Sequence, residues 1–150
     1  MGHCTRAFVG IDVAKVRNAI AVADGERGGE VRYIGEVDAS DESMRRAVKR
    51  IAAKYDDVLF CYEAGPTGYG LHRLITSLGF DCMVVAPSLI PRRPGDHVNN
   101  NRRDAIGLAK LLRAGELTAV WVPDEGHEAM RDLVRARAAA SRHYAFTANK

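Results

Sequence analysis

Ala7-Phe8-Val9-Gly10-Ile11-Asp12 is an apolar run that ends on a carboxylate. Its β-branched and aromatic residues suit an extended chain. Val58-Leu59-Phe60-Cys61-Tyr62-Glu63 repeats the form, five apolar residues closing on an acid. An apolar run without alternation is what a central strand covered on both faces requires. Two such strands, each delivering an acid at its end, set the frame for the rest of the chain.

Working outward, a short turn through Val13-Ala14-Lys15 leads to a second strand at Asn18–Ala23. Asp24-Gly25 and Gly28-Gly29 mark a hairpin loop, and Val31–Val37 follows with Val31, Tyr33 and Val37 in alternation. Ser40 and Asp41 offer a helix cap. Met44, Ala47, Val48 and Ile51 then recur at helical spacing, with Arg45, Arg46, Lys49 and Arg50 on the polar side. After Glu63 a turn-rich loop precedes a helix carrying Leu71, Leu74, Ile75 and Leu78, stopped by Gly79. Cys82–Val85 is a fifth strand, and Pro87–Asn100 reads as a loop. From about Arg102 to Arg113 a helix places Ala105, Leu108, Ala109 and Leu112 on one face. A final helix is expected from near Glu128, after an Asp124 cap, with Met130, Leu133 and Val134 inward.

The order β-β-β-α-β-α-β-α-α describes a ribonuclease-H-like α/β fold. Its mixed five-stranded sheet combines three antiparallel strands with parallel β-α-β units, flanked by helices. The expected division is a domain over 1–125 and, over 126–150, the start of a C-terminal helix suited to a coiled coil or a docking partner.

Composition narrows the classes. A chain of 150 residues with 47% hydrophobic and 27% charged residues is ordinary for one globular domain. No stretch approaches the roughly 18 apolar residues of a membrane span, and the first residues lack the apolar core of a signal peptide. Cys4, Cys61 and Cys82 are too few and scattered for a disulfide framework or zinc site. A cytoplasmic, nucleoid-associated protein is the expectation. The net charge of +3 is unevenly placed: residues 1–90 carry 11 basic against 12 acidic side chains, residues 91–150 carry 11 against 7. That excess lies beside Asp104 and includes Arg92, Arg93, Arg102 and Arg103, a placement suited to a phosphate backbone or to a solvated surface.

Three acids are candidates for chemistry. Asp12 serves either as a metal ligand or as a turn residue satisfying nearby N–H groups. Glu63 sits at the carboxyl end of a strand, where sites form in open sheets. Asp104 lies on the helical stripe shared with Asn101, Leu108 and Leu111, so it should face the sheet while Arg103, Lys110 and Arg113 face outward. An Asp in a first turn is also favoured by the helix dipole. Lys15, three residues after Asp12, is a candidate phosphate contact or a surface lysine. The histidines show no metal-cluster spacing. Tyr69 and Trp121 are candidate stacking residues, although Trp121 between Val120 and Val122 suits a core better.

Gly-Ile-Asp-Val-Ala-Lys (10–15), Tyr-Glu-Ala-Gly-Pro-Thr-Gly-Tyr-Gly-Leu (62–71) and Arg-Arg-Asp-Ala-Ile-Gly-Leu-Ala-Lys-Leu-Leu-Arg-Ala-Gly-Glu-Leu (102–117) resemble the N-terminal domain of DEDD-type insertion-sequence transposases. These are the bridge-RNA-guided recombinases related to the pilin-gene invertase, whose domain is similar to the Holliday-junction resolvase RuvC. The resemblance implies that Asp12, Glu63 and Asp104 are the first, second and fourth acids of a site for two Mg²⁺ (or Mn²⁺) ions. It implies Mg-dependent DNA cleavage and strand transfer, with DNA and a guide RNA as partners. A homo-oligomer through the C-terminal helix is expected beside them.

Two departures accompany it. Asn99-Asn100-Asn101 stands where the family usually reads Lys-Thr-Asp, so Asn101 occupies the third acid's place with an oxygen but no charge. Mg²⁺ favours carboxylates, so weakened occupancy of one metal position is expected. The family's second, serine-bearing domain also finds no match in this chain. The chain alone is therefore expected to be inactive or weakly active. The alternative is a non-catalytic remnant that docks on nucleic acid or on a longer transposase. An actin-like half-domain also opens with Gly-Ile-Asp, but it needs glycine-rich phosphate hairpins where this chain has Val-Ala-Lys-Val.

Overall fold

The computed structural model describes residues 5–26, 28–65, 67–87, 90, 101–123, 130 and 133–138. Its elements are β1 (Arg6–Asp12), β2 (Arg17–Asp24), β3 (Val31–Asp38), α1 (Asp41–Ala52), β4 (Asp57–Glu63), α2 (Gly70–Ser77), β5 (Asp81–Val85) and α3 (Asn101–Ala114). The strands form one sheet in the order β3-β2-β1-β4-β5. β1–β2 and β2–β3 run antiparallel; β1–β4 and β4–β5 run parallel. This is the expected mixed sheet. The contacts divide the chain into two units, Met1–Val120 and Trp121–Lys150.

Local chemistry sets the helix ends. The Ser40 side chain accepts from the Ser43 amide and caps α1. Gly79, at φ +93°, lets the Gly79 amide reach Thr76 O and the Phe80 amide reach Ile75 O. That closes α2 with a Schellman motif.

Side-chain alternation sorts the core into two layers. Phe8, Ala19, Ala21, Ala23, Cys61 and Val85 face α3 and bury Ala105, Leu108, Ala109 and Leu112, the four residues its periodicity selects. Intervening residues such as Val9, Ile11, Ile20, Val22, Phe60, Tyr62 and Val84 form the other face, with Met44, Val48 and Ile51 of α1 and Leu74 and Ile75 of α2 buried on that side. Pro87–Asn100 is described only at 87 and 90.

The sheet departs from simple alternation at β3. Ile20 pairs with Gly35 and Ala21 with Tyr33, so Ile34 is an extra residue and Gly35 takes φ +128°. This bulge reverses the facing of the strand residues beyond it. Val31 and Tyr33 pack under α3, whereas Val37 pairs with Asn18 on the opposite face. The three residues therefore do not share one face as their spacing predicts.

Further corrections concern single side chains. Arg113 does not point outward: its Nη1 donates to Asp24 O at 3.1 Å and Gly29 O at 2.8 Å, tying α3 to the β2–β3 hairpin. Trp121 is not a core residue, being 69% exposed. In the second unit, residue 130 and residues 133–138 are helical, while the expected start near Glu128 and the Asp124 cap lie outside the described residues. Met130, Leu133 and Val134 are each more than half exposed rather than inward. Among the described residues no helix is long and apolar enough to cross a membrane.

Candidate active site

The site is built where β1, β4 and α3 meet. Asp12 is the last residue of β1 and Glu63 the last of β4. Their register, Gly10 with Cys61 and Ile11 with Tyr62, puts the two acids side by side one residue further on. Because Phe8, Gly10 and Asp12 alternate to one face, as Cys61 and Glu63 do, both carboxylates rise on the side covered by α3. Asp104 approaches that face from the first turn of α3, half-buried like the other two.

Close packing brings the helix to them. A Cβ on Gly10 would lie 2.4 Å from Ala105 O and 2.6 Å from Ala109 N, so the α3 backbone rests directly on β1. The floor beside it is small: Ala21 pairs with Gly10 from β2, and Cys61 from β4. With Ala105 seated there, the preceding Asp104 is held near the end of β1.

Electrostatics ties the three acids together. The Asp12 carboxyl is pushed up to about 6, first by burial, then by the negative charges of Asp104 and Glu63. The three side chains thus share one field. Among the described residues no three His, Cys, Asp or Glu side chains are gathered as a group able to hold an ion. The donor set nevertheless fits a hard divalent cation, being carboxylate oxygen throughout and short of positive charge at Asp12.

The remaining predicted residues fall around this point. Asn101 opens α3 one turn before Asp104 and is exposed. Arg102 and Arg103 are exposed in the same turn, and the Arg102 guanidinium lies 5.2 Å from the centre of the Tyr33 ring. That stacking holds Arg102 over β3. Lys15 is exposed in the turn after β1. Arg92 and Arg93 lie outside the described residues.

Three supporting residues were not singled out by sequence. Asn18 is 2% exposed, and its Oδ1 accepts from the Ala14 amide at 3.1 Å, fixing the turn just past Asp12. The Tyr62 hydroxyl accepts from the His72 amide and donates to Gly68 O, both at 3.3 Å. It thereby satisfies an orphan N–H of α2, whose cap residue Tyr69 supplies no side-chain bond, and pins the loop after Glu63. Gly10 is the third; the signal for it was glycine inside an apolar strand, a mark of close backbone approach. Burial keeps Cys61 protonated and raises Cys82 to about 12, so neither thiol is a nucleophile.

Comparison with known proteins extends these observations. A family model described as Transposase, the DEDD transposases of the IS110 type, matches residues 9–150. The putative transposase y4qE of Sinorhizobium fredii is 76% identical over 134 residues, 89% of this chain and 34% of that protein. The transposase for insertion sequence element IS1533 of Leptospira borgpetersenii is 34% identical over 133 residues, 88% of this chain and 38% of that protein. The chain spans little more than a third of the length of these relatives. Among solved structures, Thermus thermophilus RuvC aligns over 76% of this chain and 99% of its own at TM-score 0.50 and 11% identity. RuvC in complex with a Holliday junction substrate aligns over the same shares at TM-score 0.51 and 11% identity. That likeness shows a RuvC-like, ribonuclease-H-like fold. With the family model covering nearly its whole length, this chain belongs to the DEDD transposase family.

Proposed function

We propose that this chain is the RuvC-like catalytic domain of a transposase, binding DNA and holding Mg²⁺ or Mn²⁺ on Asp12, Glu63 and Asp104. The observation that carries the reading is the convergence of three elements. β1 and β4 end side by side on Asp12 and Glu63, and α3, which rests on Gly10, brings Asp104 to the same face. The Asp12 carboxyl is raised first by burial and then by Asp104 and Glu63. Three elements bring three acids into one field at the carboxyl edge of the sheet, and a divalent cation is the ligand that relieves their repulsion. When bound, two such ions supply Lewis-acid stabilisation of the attacking and leaving oxygens of a phosphodiester. The chain's own residues do the positioning. Gly10 seats α3, Asn18 fixes the turn after Asp12, and Tyr62 pins the loop after Glu63. Arg102, Arg103 and Lys15, all exposed around the acids, are proposed to neutralise phosphates, together with Arg92 and Arg93.

DNA as partner is supported by family membership, and by the Holliday junction substrate held by the RuvC of like fold. A guide RNA is proposed on the family resemblance of the three motifs. Self-association through the C-terminal helix is proposed from the exposed Met130, Leu133 and Val134.

A second reading is a non-catalytic module that docks on nucleic acid or on a longer transposase. It is favoured by the uncharged, exposed Asn101 and by the lack of a gathered three-ligand group among the described residues. Calorimetric titration of Mn²⁺ into the chain and its Asn101→Asp variant separates the two. Binding that the variant strengthens supports a metal site weakened at its third position. Indifference of both folded proteins to Mn²⁺ supports the docking module.

A further inference from the structure

We infer that the solvent face of α1 is a docking surface for duplex DNA, on the side of the sheet opposite the acids. The inference rests on the proposed nucleic-acid function and deepens it. Arg45, Arg46, Lys49 and Arg50 are all exposed on α1, and Lys54 continues the line just past its end. Positions i, i+1, i+4 and i+5 make one continuous stripe on a helix, here opposite the buried Met44, Val48 and Ile51.

Among the described residues the stripe is not neutralised. Arg6, Arg17 and Arg32 on the strands pair with Asp57, Asp38 and Asp24 at 3.0, 3.9 and 3.6 Å. Among the described residues no ion pair involves Arg45, Arg46, Lys49, Arg50 or Lys54. Asp41 and Glu42 stand nearby in the first turn, where the helix dipole favours them, and pair with none of the five.

Lys49 and Arg50 suit the dipole in the last turn, but the spacing of the four cations works against the helix. Arg45 with Lys49 and Arg46 with Arg50 are like charges at i, i+4, which repel, where alternating signs would have supported α1. A face needed only for solubility is served as well by mixed charge. A row of unpaired cations is served by a partner with regularly spaced negative charge. From Arg45 to Arg50 the axis advances about 7.5 Å, which spans about two phosphates of one DNA strand. Three of the four helical cations are arginines, whose planar fork suits phosphate oxygens.

The test measures binding of a fluorescent DNA duplex against salt concentration, with EDTA present so that metal binding plays no part. The chain is compared with a fourfold variant (Arg45→Gln, Arg46→Gln, Lys49→Gln, Arg50→Gln). Each lost phosphate contact removes about 0.9 from the slope of log K against log salt, so losing the two phosphates that the stripe spans should lower the slope by about 1.8. Arg17→Gln, which removes a cation already paired with Asp38, should leave the slope unchanged. The fourfold variant should stay folded, because relief of the i, i+4 repulsion offsets the loss of Lys49 and Arg50 from the last turn that the helix dipole favours. Parent binding with an unaltered slope in the fourfold variant overturns this surface and leaves the nucleic-acid reading intact. A proportionate loss from Arg17→Gln overturns it as well, since overall charge would then be the cause. A slope loss seen with duplex RNA and not with DNA overturns the DNA assignment. A parent chain that binds no duplex at low salt overturns both readings.

Discussion

Gly10 and Ala105 are in backbone contact: a Cβ at position 10 would lie 2.4 Å from the Ala105 carbonyl oxygen, closer than such atoms approach. Ala105 follows Asp104, and Gly10 precedes Asp12 by one strand repeat on the same face. The spacing of strand and helix is therefore also the spacing of two acids. Gly10→Ala should push α3 outward, because backbone cannot rotate aside as a side chain can. Overpacking of this kind costs about 1–3 kcal/mol. The expected outcome is a chain that still folds, unfolds at lower urea, and binds Mn²⁺ more weakly than the parent. A crystal structure of the variant with an unchanged Asp12-to-Asp104 separation would falsify this account.

The Asp12 carboxyl supplies a pH dependence with a definite sign. Its folded-state value is raised from 3.8 to about 6, by burial first and then by Asp104 and Glu63. Between those values the folded state holds a proton that the unfolded state has released. Its contribution to stability is therefore greatest below about pH 4 and is lost as pH rises through about 6. Metal-free chain should lose stability in that window, whereas Asp12→Asn should show a flatter profile and be the more stable protein at pH 7.5. Urea titrations in EDTA from pH 4 to 8 measure this. Parallel profiles for the two proteins would remove the basis for one shared acidic field. Mn²⁺ competes with the same proton, so its affinity should fall as pH drops below about 6.

Much of this geometry is legible in the sequence because it repeats locally. Two apolar runs ending on acids place Asp12 and Glu63, and helical spacing selects Ala105, Leu108, Ala109 and Leu112 as the buried face of α3. The features that escape depend on partners far along the chain. The helical angle of Arg113 points it outward, but the carbonyls of Asp24 and Gly29 stand in its path. The bulge at Ile34 is hidden because Val31, Tyr33 and Val37 keep an even spacing whether or not a residue is looped out. Met130, Leu133 and Val134 carry a core-like pattern, and periodicity specifies a face without specifying what covers it. Asn18 looks like an ordinary strand residue; only the folded turn shows its oxygen on the Ala14 amide.

Tyr62 offers a test of how far the loop after Glu63 depends on one hydroxyl. Its oxygen bonds the Gly68 carbonyl and the His72 amide, while the ring is fully buried beside β5. Tyr62→Phe keeps the packing and leaves the His72 amide without that acceptor. A loss of about 1–2 kcal/mol is expected from the missing bonds. Hydrogen exchange at His72 should accelerate more than exchange at Ile75, which the α2 ladder protects. Uniform acceleration along α2 would mean that the hydroxyl stabilises the helix as a whole and does not pin the loop.

Asn101 is the position at which charge and metal should act in opposite directions. It opens α3 one turn before Asp104, so Asn101→Asp adds a like charge at i, i+3. The helix dipole offsets part of that repulsion, because an acid in the first turn faces unsatisfied N–H groups. Without metal the two effects are each a few tenths of a kcal/mol, and the melting temperature should move by about 2 °C or less. With Mn²⁺ present the added carboxylate should make the variant the more stable protein, since an ion held only by the folded state stabilises it by mass action. Thermal melts in EDTA and in millimolar Mn²⁺ read both effects in one experiment. A variant that melts with the parent in EDTA and again in Mn²⁺ would show that position 101 does not belong to the acidic field.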